Sequence, residues 1–438
     1  MRFSVFALML CVSANLGFAA GGTSIEDQST HQQSAIVKIA DDDNPLKINA
    51  FCMDAEGHIV AVCGSGPGEV RIVNDEGEIL RSWKVNVRPE AINVASDGSI
   101  LVGGEGELFR FDREGKVLKT TKSPHAQRLT SDNKEVREQA IAYLKRRSGT
   151  SSSSSLEARV ATYEQMIKQL EERGAKSELN ESEERTLELL PKTLERYKEQ
   201  LAAQKEKEGD QEEKGPSEEE IDRQIQSMIK TKMKISSISS SDDYIFVTTR
   251  SLAGYGFDVW RTGNDFADGE VIIKSLSGCC GQMDVQCCKQ GIFVAENSRD
   301  RVVHYDIDGK KITQWGKSDR TGVDGFGSCC NPMNVCFDKE GYIYTAEASL
   351  GRIKRFDATG KLVSYVGDVD LVPGCKNVSI AVSPVNDNVY MLDLTRNHIK
   401  VMFPKPAGEK DSKKDADGAK AAKKVKPKKI GSVSALSK

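Results

Sequence analysis

The sequence predicts an all-β fold, a six-bladed β-propeller with an inserted α-helical hairpin or coiled-coil segment. Two stretches that begin at Cys279 and Cys329 match each other at their Cys-Cys, Met, Ala-Glu, Arg, aromatic-Asp and Gly-Lys positions. Weaker copies of the same pattern are found at 47–82, 87–119, 233–276 and 371–403. Each copy has four short alternating segments joined by Asp/Gly turns, and four antiparallel strands repeated every ~40–50 residues are typical of propeller blades.

The N-terminus, residues 1–20, is predicted to be a signal peptide. Arg2 precedes an apolar run over residues 3–12, and small residues that suit cleavage follow. A buried N-terminal strand is the alternative interpretation. Export would place the chain in the periplasm, outside the cell or at its surface. Because no later stretch approaches the ~18 apolar residues that cross a bilayer, we expect no transmembrane span after cleavage.

Blades 1 and 2 are assigned to residues 35–125 and blades 3 to 6 to residues 233–404. The apolar-polar segment 35–39 precedes the first full copy of the repeat. We expect it to add an outer strand to the last blade and so to close the ring of blades.

The segment 126–232 is predicted to be a helical insertion between blades 2 and 3. It contains no Cys, Trp or Phe, and its apolar residues recur every three or four positions. Two such series are Leu156, Val160, Tyr163, Ile167 and Leu170, and Leu187, Leu190, Leu194, Tyr197 and Leu201. The insertion is interpreted either as a coiled coil that binds a partner or dimerises, or as a solvated hairpin packed on itself.

The C-terminal segment 405–438 is predicted to be a disordered, Lys-rich tail, since it holds eleven lysines and four acidic residues. It is interpreted as a solubilising tail or as a contact for anionic surfaces. The insertion and the tail account for the low hydrophobic content of 38% in a chain of 438 residues. The net charge of -3 argues against a nucleic-acid-binding protein, so no specific nucleic acid is expected.

The blade pattern resembles the NHL repeat. The resemblance is carried by the stretch from Asp338 to Lys361 and by Arg396-Asn397-His398-Ile399, and it covers about 35–404 apart from the insertion. NHL propellers include scaffolds, protein or RNA binders, extracellular sensors and a few lyases or lactonases, so the resemblance implies a fold more firmly than a function. The metal-binding histidines of its peptide-amidating lyase have no mapped counterpart among the five histidines of this chain.

Ten of the eleven cysteines lie in the predicted blades, and most of them fall where a propeller's loops meet on one face. The candidates for disulfides or for a metal site on this face are Cys279, Cys280, Cys329, Cys330, Cys375, Cys63 and His125. The other four, Cys52, Cys287, Cys288 and Cys336, are placed towards the opposite face.

Three interpretations of the cysteine-bearing face stay open. Structural disulfides between neighbouring blades fit an exported chain with an even number of cysteines. A soft metal ion bound by thiolates, with help from His125, Met283 or Met333, is the second. A reactive thiol pair is the third. No cofactor is required by the first interpretation, and Met283 and Met333 are predicted to be core residues.

Acidic residues recur at the ends of the second strands of three blades, at Glu296, Glu347 and Asp393. Arg301 and Arg352 follow the two glutamates by five residues, a spacing that suits inter-strand ion pairs. The alternative is a binding face or a Ca²⁺ site. No Ser-His-Asp arrangement, phosphate-binding loop or H-E-x-x-H motif is visible. The sequence therefore predicts a module that binds a protein or a small molecule, with a metal- or thiol-dependent enzyme as the alternative.

Overall fold

Six four-stranded antiparallel sheets surround a central channel in a computed structural model of the chain. The structure describes residues 29–39, 46–149, 153–175, 181–208, 215–252, 254–320, 322–327 and 330–406. The predicted signal peptide, Cys329 and all but the first two residues of the predicted tail lie outside these ranges. The innermost strands of neighbouring sheets contact one another around a closed ring. This arrangement is a six-bladed β-propeller.

The blades follow one another in chain order, each running from the innermost to the outermost strand. Blade 1 comprises β2 Ile48–Met53, β3 Ile59–Cys63, β4 Gly68–Val73 and β5 Ile79–Val85, and blade 2 comprises β6 Ala91–Val94, β7 Ile100–Gly104, β8 Glu107–Phe111 and β9 Val117–Lys122. Blade 3 comprises β10 Ile235–Ser240, β11 Tyr244–Arg250, β12 Phe257–Gly263 and β13 Glu270–Leu276, and blade 4 comprises β14 Asp284–Cys288, β15 Gly291–Glu296, β16 Arg301–Tyr305 and β17 Lys311–Trp315. Blade 5 comprises β18 Asn334–Phe337, β19 Ile343–Ala346, β20 Arg352–Phe356 and β21 Leu362–Asp368.

Blade 6 is built from both ends of the described chain. Its strands β22 Ile380–Val382, β23 Val389–Asp393 and β24 His398–Pro404 are completed by the N-terminal strand β1 His31–Val37. β1 pairs antiparallel with β24 as the outermost strand. The predicted closure of the ring by the N-terminal segment is confirmed.

The Asp/Gly turns form because one aspartate side chain organises each of them. In blade 5, Asp338 Oδ1 accepts hydrogen bonds from the backbone N–H groups of Glu340 and Tyr342 at 3.1 and 2.9 Å. Gly341 takes a positive φ of 86°, which glycine adopts without steric cost. The same two bonds are made by Asp54, Asp112, Asp306 and Asp357. The turn chemistry is therefore local, which is why the repeats are visible in the sequence.

Polar side chains at the start of the innermost strands link every blade to the next. We call this set the polar ring. Its bonds are Asn49 Nδ2 to Pro89 O, Ile235 N to Glu90 Oε2, Val285 N to Ser237 Oγ, Val335 N to Asp284 Oδ2, Val378 N to Asn334 Oδ1, and Asn377 Nδ2 to Asn49 O, all between 2.8 and 3.1 Å. Because these bonds satisfy buried backbone groups, the polar ring fixes the register between blades.

The described residues between β9 and β10 form five helices. They are α1 Pro124–Arg128, α2 Lys134–Gly149, α3 Ser153–Gly174, α4 Glu181–Glu208 and α5 Glu218–Lys232. The helices α3 and α4 pack antiparallel, with Tyr163 stacked on Tyr197 at 5.3 Å between ring centroids and Glu164 paired with Lys198 at 2.8 Å. In the described residues, no helix is both long and apolar enough to cross a membrane.

The base of the insertion belongs to the core of the propeller. Val136 and Ala140 of α2 and Ile221 and Ile225 of α5 are buried in one hydrophobic cluster with apolar residues of blades 2 and 3. The capping box of Ser217 and Glu220 starts α5. The interpretation of the whole insertion as a hairpin packed on itself is thus wrong for α2 and α5, because they supply buried surface to the blades.

Candidate functional site

The loops that lead into β14, β18 and β22 bring cysteines together on one face of the propeller. The Sγ atom of Cys280 lies 3.4 Å from that of Cys279 and 3.4 Å from that of Cys330. One ligand atom from each of these three residues lies within 4.8 Å of the other two. Cys375 also lies near Cys280 and acts to raise its pKa, although it is not one of the three residues whose ligand atoms all lie within 4.8 Å of one another. We call Cys279, Cys280, Cys330 and Cys375 the thiol cluster.

The thiol cluster is reachable from solvent. Cys280 and Cys375 are exposed, Cys279 is half-buried and Cys330 is buried. The described cysteines are unbridged, and the 3.4 Å separations are contact distances, well above the ~2.05 Å of a disulfide bond. The disulfides expected from the sequence stay a prediction.

Cys280 and Cys330 share an unusual backbone conformation. Their φ angles are 52° and 67°, in the left-handed region that non-glycine residues rarely occupy. The two residues hold equivalent places in the leading loops of blades 4 and 5. Such conformations cost ~1–3 kcal/mol each and persist where the surrounding structure holds them, often at binding sites.

The blade 4 loop is held by the two residues at the end of β15. Glu296 Oε1 accepts a hydrogen bond from Ser277 N at 3.1 Å, and Asn297 Oδ1 accepts one from Cys279 N at 2.7 Å. Arg301 pairs with Glu296 Oε2 at 2.5 Å. The carboxylate therefore supports the loop that carries Cys279, and its charge is balanced by the predicted arginine.

The blade 5 loop is held in the same way at a more buried carboxylate. Glu347 Oε2 accepts a hydrogen bond from Gly327 N at 2.7 Å and pairs with Arg352 Nη2 at 2.9 Å. Its Oε1 lies 2.7 Å from Lys354 Nζ, and this lysine is fully buried. Burial lowers the pKa of Lys354. Lys354 is a partner that the five-residue spacing does not indicate.

The third recurrent acid, Asp393, binds its own turn. Its Oδ1 accepts hydrogen bonds from Thr395 N and Arg396 N, both at 3.1 Å, and its Oδ2 pairs with Arg396 Nη1 at 2.9 Å. Glu296, Glu347 and Asp393 therefore all face cations within the chain. The ion pairs predicted for Arg301 and Arg352 are present.

Cys280 is protonated at neutral pH. The pKa of Cys280 is raised to about 11, because the contacts with Cys279 and Cys375 and desolvation outweigh the lowering by Cys330. Lys234 Nζ donates to Gly281 O at 3.2 Å, and a Cβ at Gly281 would lie 2.8 Å from Arg250 Nη2. No basic residue adjoins Cys279, Cys280 or Cys330 in the sequence, but the fold places these two cations beside the Cys280 turn.

Two sequence candidates are placed away from the thiol cluster. His125 lies in α1, not in a loop as expected, where it is fully buried with its Nδ1 2.7 Å from Ser123 Oγ. Burial lowers its pKa to about 4. Cys63 packs in the core between blades 1 and 6, and burial raises its pKa to about 12. Neither belongs to the group of thiols that could share a metal ion.

The remaining described cysteines lie on the innermost strands. Cys52, Cys287 and Cys336 line the central channel, a cavity of about 240 Å³. Burial raises the pKa of all three thiols. Met283 and Met333 are each 1% exposed and belong to the core, as predicted.

No family model matches the chain, and no curated protein matches it. Among solved structures, virginiamycin B lyase from Staphylococcus aureus is similar at 9% identity over 84% of this chain and 99% of that chain, with a TM-score of 0.39. A gluconolactonase from Xanthomonas campestris is similar at 10% identity over 85% of this chain and 99% of that chain, with a TM-score of 0.41. The WD40 domain of Neurospora crassa Pan2 is similar at 9% identity over 85% of this chain and 95% of that chain, with a TM-score of 0.40. Values of this size assign neither a family nor an activity to this chain.

Proposed function

We propose that the chain is a binding module whose thiol cluster holds a thiophilic metal ion such as Zn²⁺ or Cu⁺. The observation that carries this proposal is the convergence of Cys279, Cys280 and Cys330 from two leading loops to Sγ separations of 3.4 Å, with Cys375 joining them from a third. Thiolates are the ligands that these ions prefer.

The spacing of the sulfur atoms suits one shared ion. With Zn–S bonds of ~2.3 Å, tetrahedral geometry places sulfur atoms ~3.8 Å apart, so the observed 3.4 Å needs only a small expansion. Three leading loops contribute the four thiols, and two of these loops are held by Glu296, Asn297 and Glu347. Such outer hydrogen bonds orient metal ligands before the ion arrives.

The thiol chemistry favours metal binding over disulfide exchange. A raised pKa leaves Cys280 as a thiol at pH 7, whereas an exchange-active cysteine needs a lowered pKa. A bound divalent cation would supply the positive charge that stabilises the thiolates, and binding would release their protons. In an oxidising compartment the ion would also keep neighbouring sulfur atoms from forming disulfides.

The experiment is a titration of the fully reduced chain with Co²⁺, followed by displacement with Zn²⁺. We expect an intense thiolate-to-cobalt charge-transfer absorption at one equivalent, and its loss when Zn²⁺ is added. The Cys280→Ser and Cys330→Ser variants should each bind at least ~10-fold more weakly. Cys288→Ser, on the opposite side of blade 4, is the matched control and should titrate like the original chain.

Two outcomes would refute the metal proposal. The first is a reduced chain that gives no thiolate-to-cobalt band. The second is native protein without reactive thiols at Cys279, Cys280 and Cys330 that recovers them only after reduction, which would establish the structural disulfides instead. Mass mapping of alkylated peptides with and without reductant separates these outcomes.

We also propose export through residues 1–20 and an NHL type for the blades. The apolar run after Arg2 supports export, and the Asp-x-x-Gly turns support the repeat type. Fractionation of cells that express the full chain, with N-terminal sequencing of the mature protein, tests export. An uncleaved cytoplasmic product would contradict it.

A further inference from the structure

A cleft lies between the base of the insertion and blade 3, and its wall includes Arg250, the neighbour of the Cys280 turn. It has a volume of about 360 Å³ and is bordered by α2, α5 and the loop between β11 and β12. This size suits a small organic molecule. Nothing in the repeats indicates the cleft, because two of its walls come from the insertion.

The charges that line the cleft have a single sign. Its ionisable cations are Arg146, Lys232 and Arg250, and none of its lining residues is an aspartate or a glutamate. The buried Lys232 Nζ donates only to uncharged oxygen atoms, those of Ser251, Leu252, Gly254 and Gln139. In the part of the chain that the structure describes, Arg146 and Arg250 have no ion pair. Asp258 acts electrostatically on Lys232 and raises its pKa, so Arg146 and Arg250 are the two cations of the cleft left to face an anion.

The rest of the cleft offers apolar and aromatic surface. Met228 and Ala142 line its floor, and Tyr143 and Tyr255 are exposed at its rim, Tyr255 to 77%. The ring of Phe257 lies against Arg250, with its centroid 5.3 Å from the guanidinium carbon, and this contact holds the cation in place. An occupant would therefore combine an acidic group with an apolar or aromatic body.

We propose that this cleft binds a small organic anion, with Arg250 and Arg146 on its acidic group and the tyrosines and Met228 around its body. The Lys-rich segment 405–438 is excluded as an occupant by its positive charge. The proposal does not depend on a metal ion at the thiol cluster.

The test uses two fluorescent probes of one ring skeleton on the full reduced chain, anionic 1-anilinonaphthalene-8-sulfonate and neutral N-phenyl-1-naphthylamine. We expect saturable binding of one anionic probe per chain, weakened on the order of 10-fold by Arg146→Gln with Arg250→Gln. The neutral probe should lose less than ~2-fold. Arg81→Gln, an exposed arginine on β5, is the matched control and should change neither affinity.

A second variant keeps the proposal testable if the double substitution disturbs folding. Ser227→Trp places a large side chain into the cleft from α5 without changing any charge, and it should abolish binding of both probes while the far-ultraviolet circular dichroism spectrum and the unfolding temperature stay unchanged. The proposal is overturned if the native chain binds no anionic probe saturably. It is equally overturned if the folded arginine variant binds that probe as tightly as the control does.

Discussion

Glu347 and Glu296 occupy equivalent places in blades 5 and 4 but differ in how far their partners are removed from water. The Lys354 side chain is 0% exposed and that of Arg352 is 9% exposed, whereas the Arg301 side chain that faces Glu296 is 23% exposed. A buried cation that loses its carboxylate keeps its desolvation cost without compensation. The same repeat position therefore carries two different energetic roles.

Glu347→Ala should lower the free energy of unfolding by ~3–5 kcal/mol, because it leaves two buried cations unpaired. Glu296→Ala should cost only ~1–2 kcal/mol, since Arg301 can turn towards solvent and the main loss is the bond to Ser277 N. Chemical denaturation of both variants measures the difference. Equal losses would show that burial of the partners does not control the energetics of this position.

His125 is expected to make the free energy of unfolding decrease at acidic pH. Its pKa in the folded chain is about 4 because burial opposes the charged form, whereas the unfolded chain takes up this proton near pH 6.5. The stabilising contribution is therefore complete above pH 6.5 and is lost as the pH falls towards 4. Between pH 7 and pH 5 the loss amounts to about 2 kcal/mol.

The measurement compares the original chain with His125→Gln by chemical denaturation at pH 7 and pH 5. The variant should lose less stability between these values. Buried Glu90 and Asp284 have raised pKa values, and they contribute with the opposite sign in both proteins. Only the difference between the stability losses of the two proteins reports on His125. Equal losses between pH 7 and pH 5 would contradict the role assigned to His125.

The insertion divides into two parts with different roles. The helices α2 and α5 bury Val136, Ala140, Ile221 and Ile225 against blades 2 and 3, while in the described parts of α3 and α4 only Leu156 and Leu190 are buried. Arg147 and Gly215 border the same cavity, so the chain enters and leaves the α3–α4 hairpin at neighbouring points. The hairpin is thus an arm on a base that belongs to the propeller.

Replacing 150–214 by a short Gly/Ser linker should leave the propeller folded, with a change in unfolding free energy within ~1 kcal/mol. Deleting 130–232 should prevent folding, because each lost aliphatic side chain of α2 and α5 contributes ~1.5–3 kcal/mol and their removal exposes Leu252 and Trp260. Thermal unfolding of the two shortened chains, monitored by circular dichroism, distinguishes these results. A folded chain after the larger deletion would show that the base is not part of the core.

The blades could be predicted from the sequence because their determinants are local. Asp338 and Gly341 form a turn within four residues, and the same chemistry recurs in blade after blade. The ion pairs of Glu296 and Glu347 were predictable for the same reason. The separation of α2 and α5 from the α3–α4 hairpin could not be predicted. The spacing of apolar residues shows that a helix has an apolar side, but it does not show what covers that side.

The candidate site could be predicted only in part. The Cys-Cys pairs of blades 4 and 5 stand out in the repeats, but Asn297, Lys234 and Arg250 approach the Cys279–Gly281 turn through contacts between elements distant in sequence. Asn297 has no counterpart in blade 5, where Ala348 stands in its place. His125 was expected on the face that carries the thiol cluster, but it lies in the short helix α1 and is buried there.

At the scale of the whole molecule, closure of the ring joins its first strand to its last. β1 covers the edge of β24, and Lys405 N donates to Thr30 O at 2.9 Å. Beyond β1 the chain crosses to blade 1, where Arg71 Nη1 donates to Ile39 O at 2.5 Å. The N-terminal segment therefore holds blade 6 to blade 1, together with the bond between Asn377 and Asn49 in the polar ring.

A chain that begins at residue 40 should be less stable than one that begins at residue 29 by at least ~3 kcal/mol. The loss follows because Val37 and Ile39 are 2% and 1% exposed, and burial of such side chains contributes ~1.5–3 kcal/mol each. Without β1, the edge of β24 is free to pair with other chains, so light scattering should show concentration-dependent association. A synthetic peptide of residues 29–39 added in trans should restore both properties. If the chain that begins at residue 40 stays monomeric and melts like the longer one, the polar ring alone closes the propeller and β1 is dispensable.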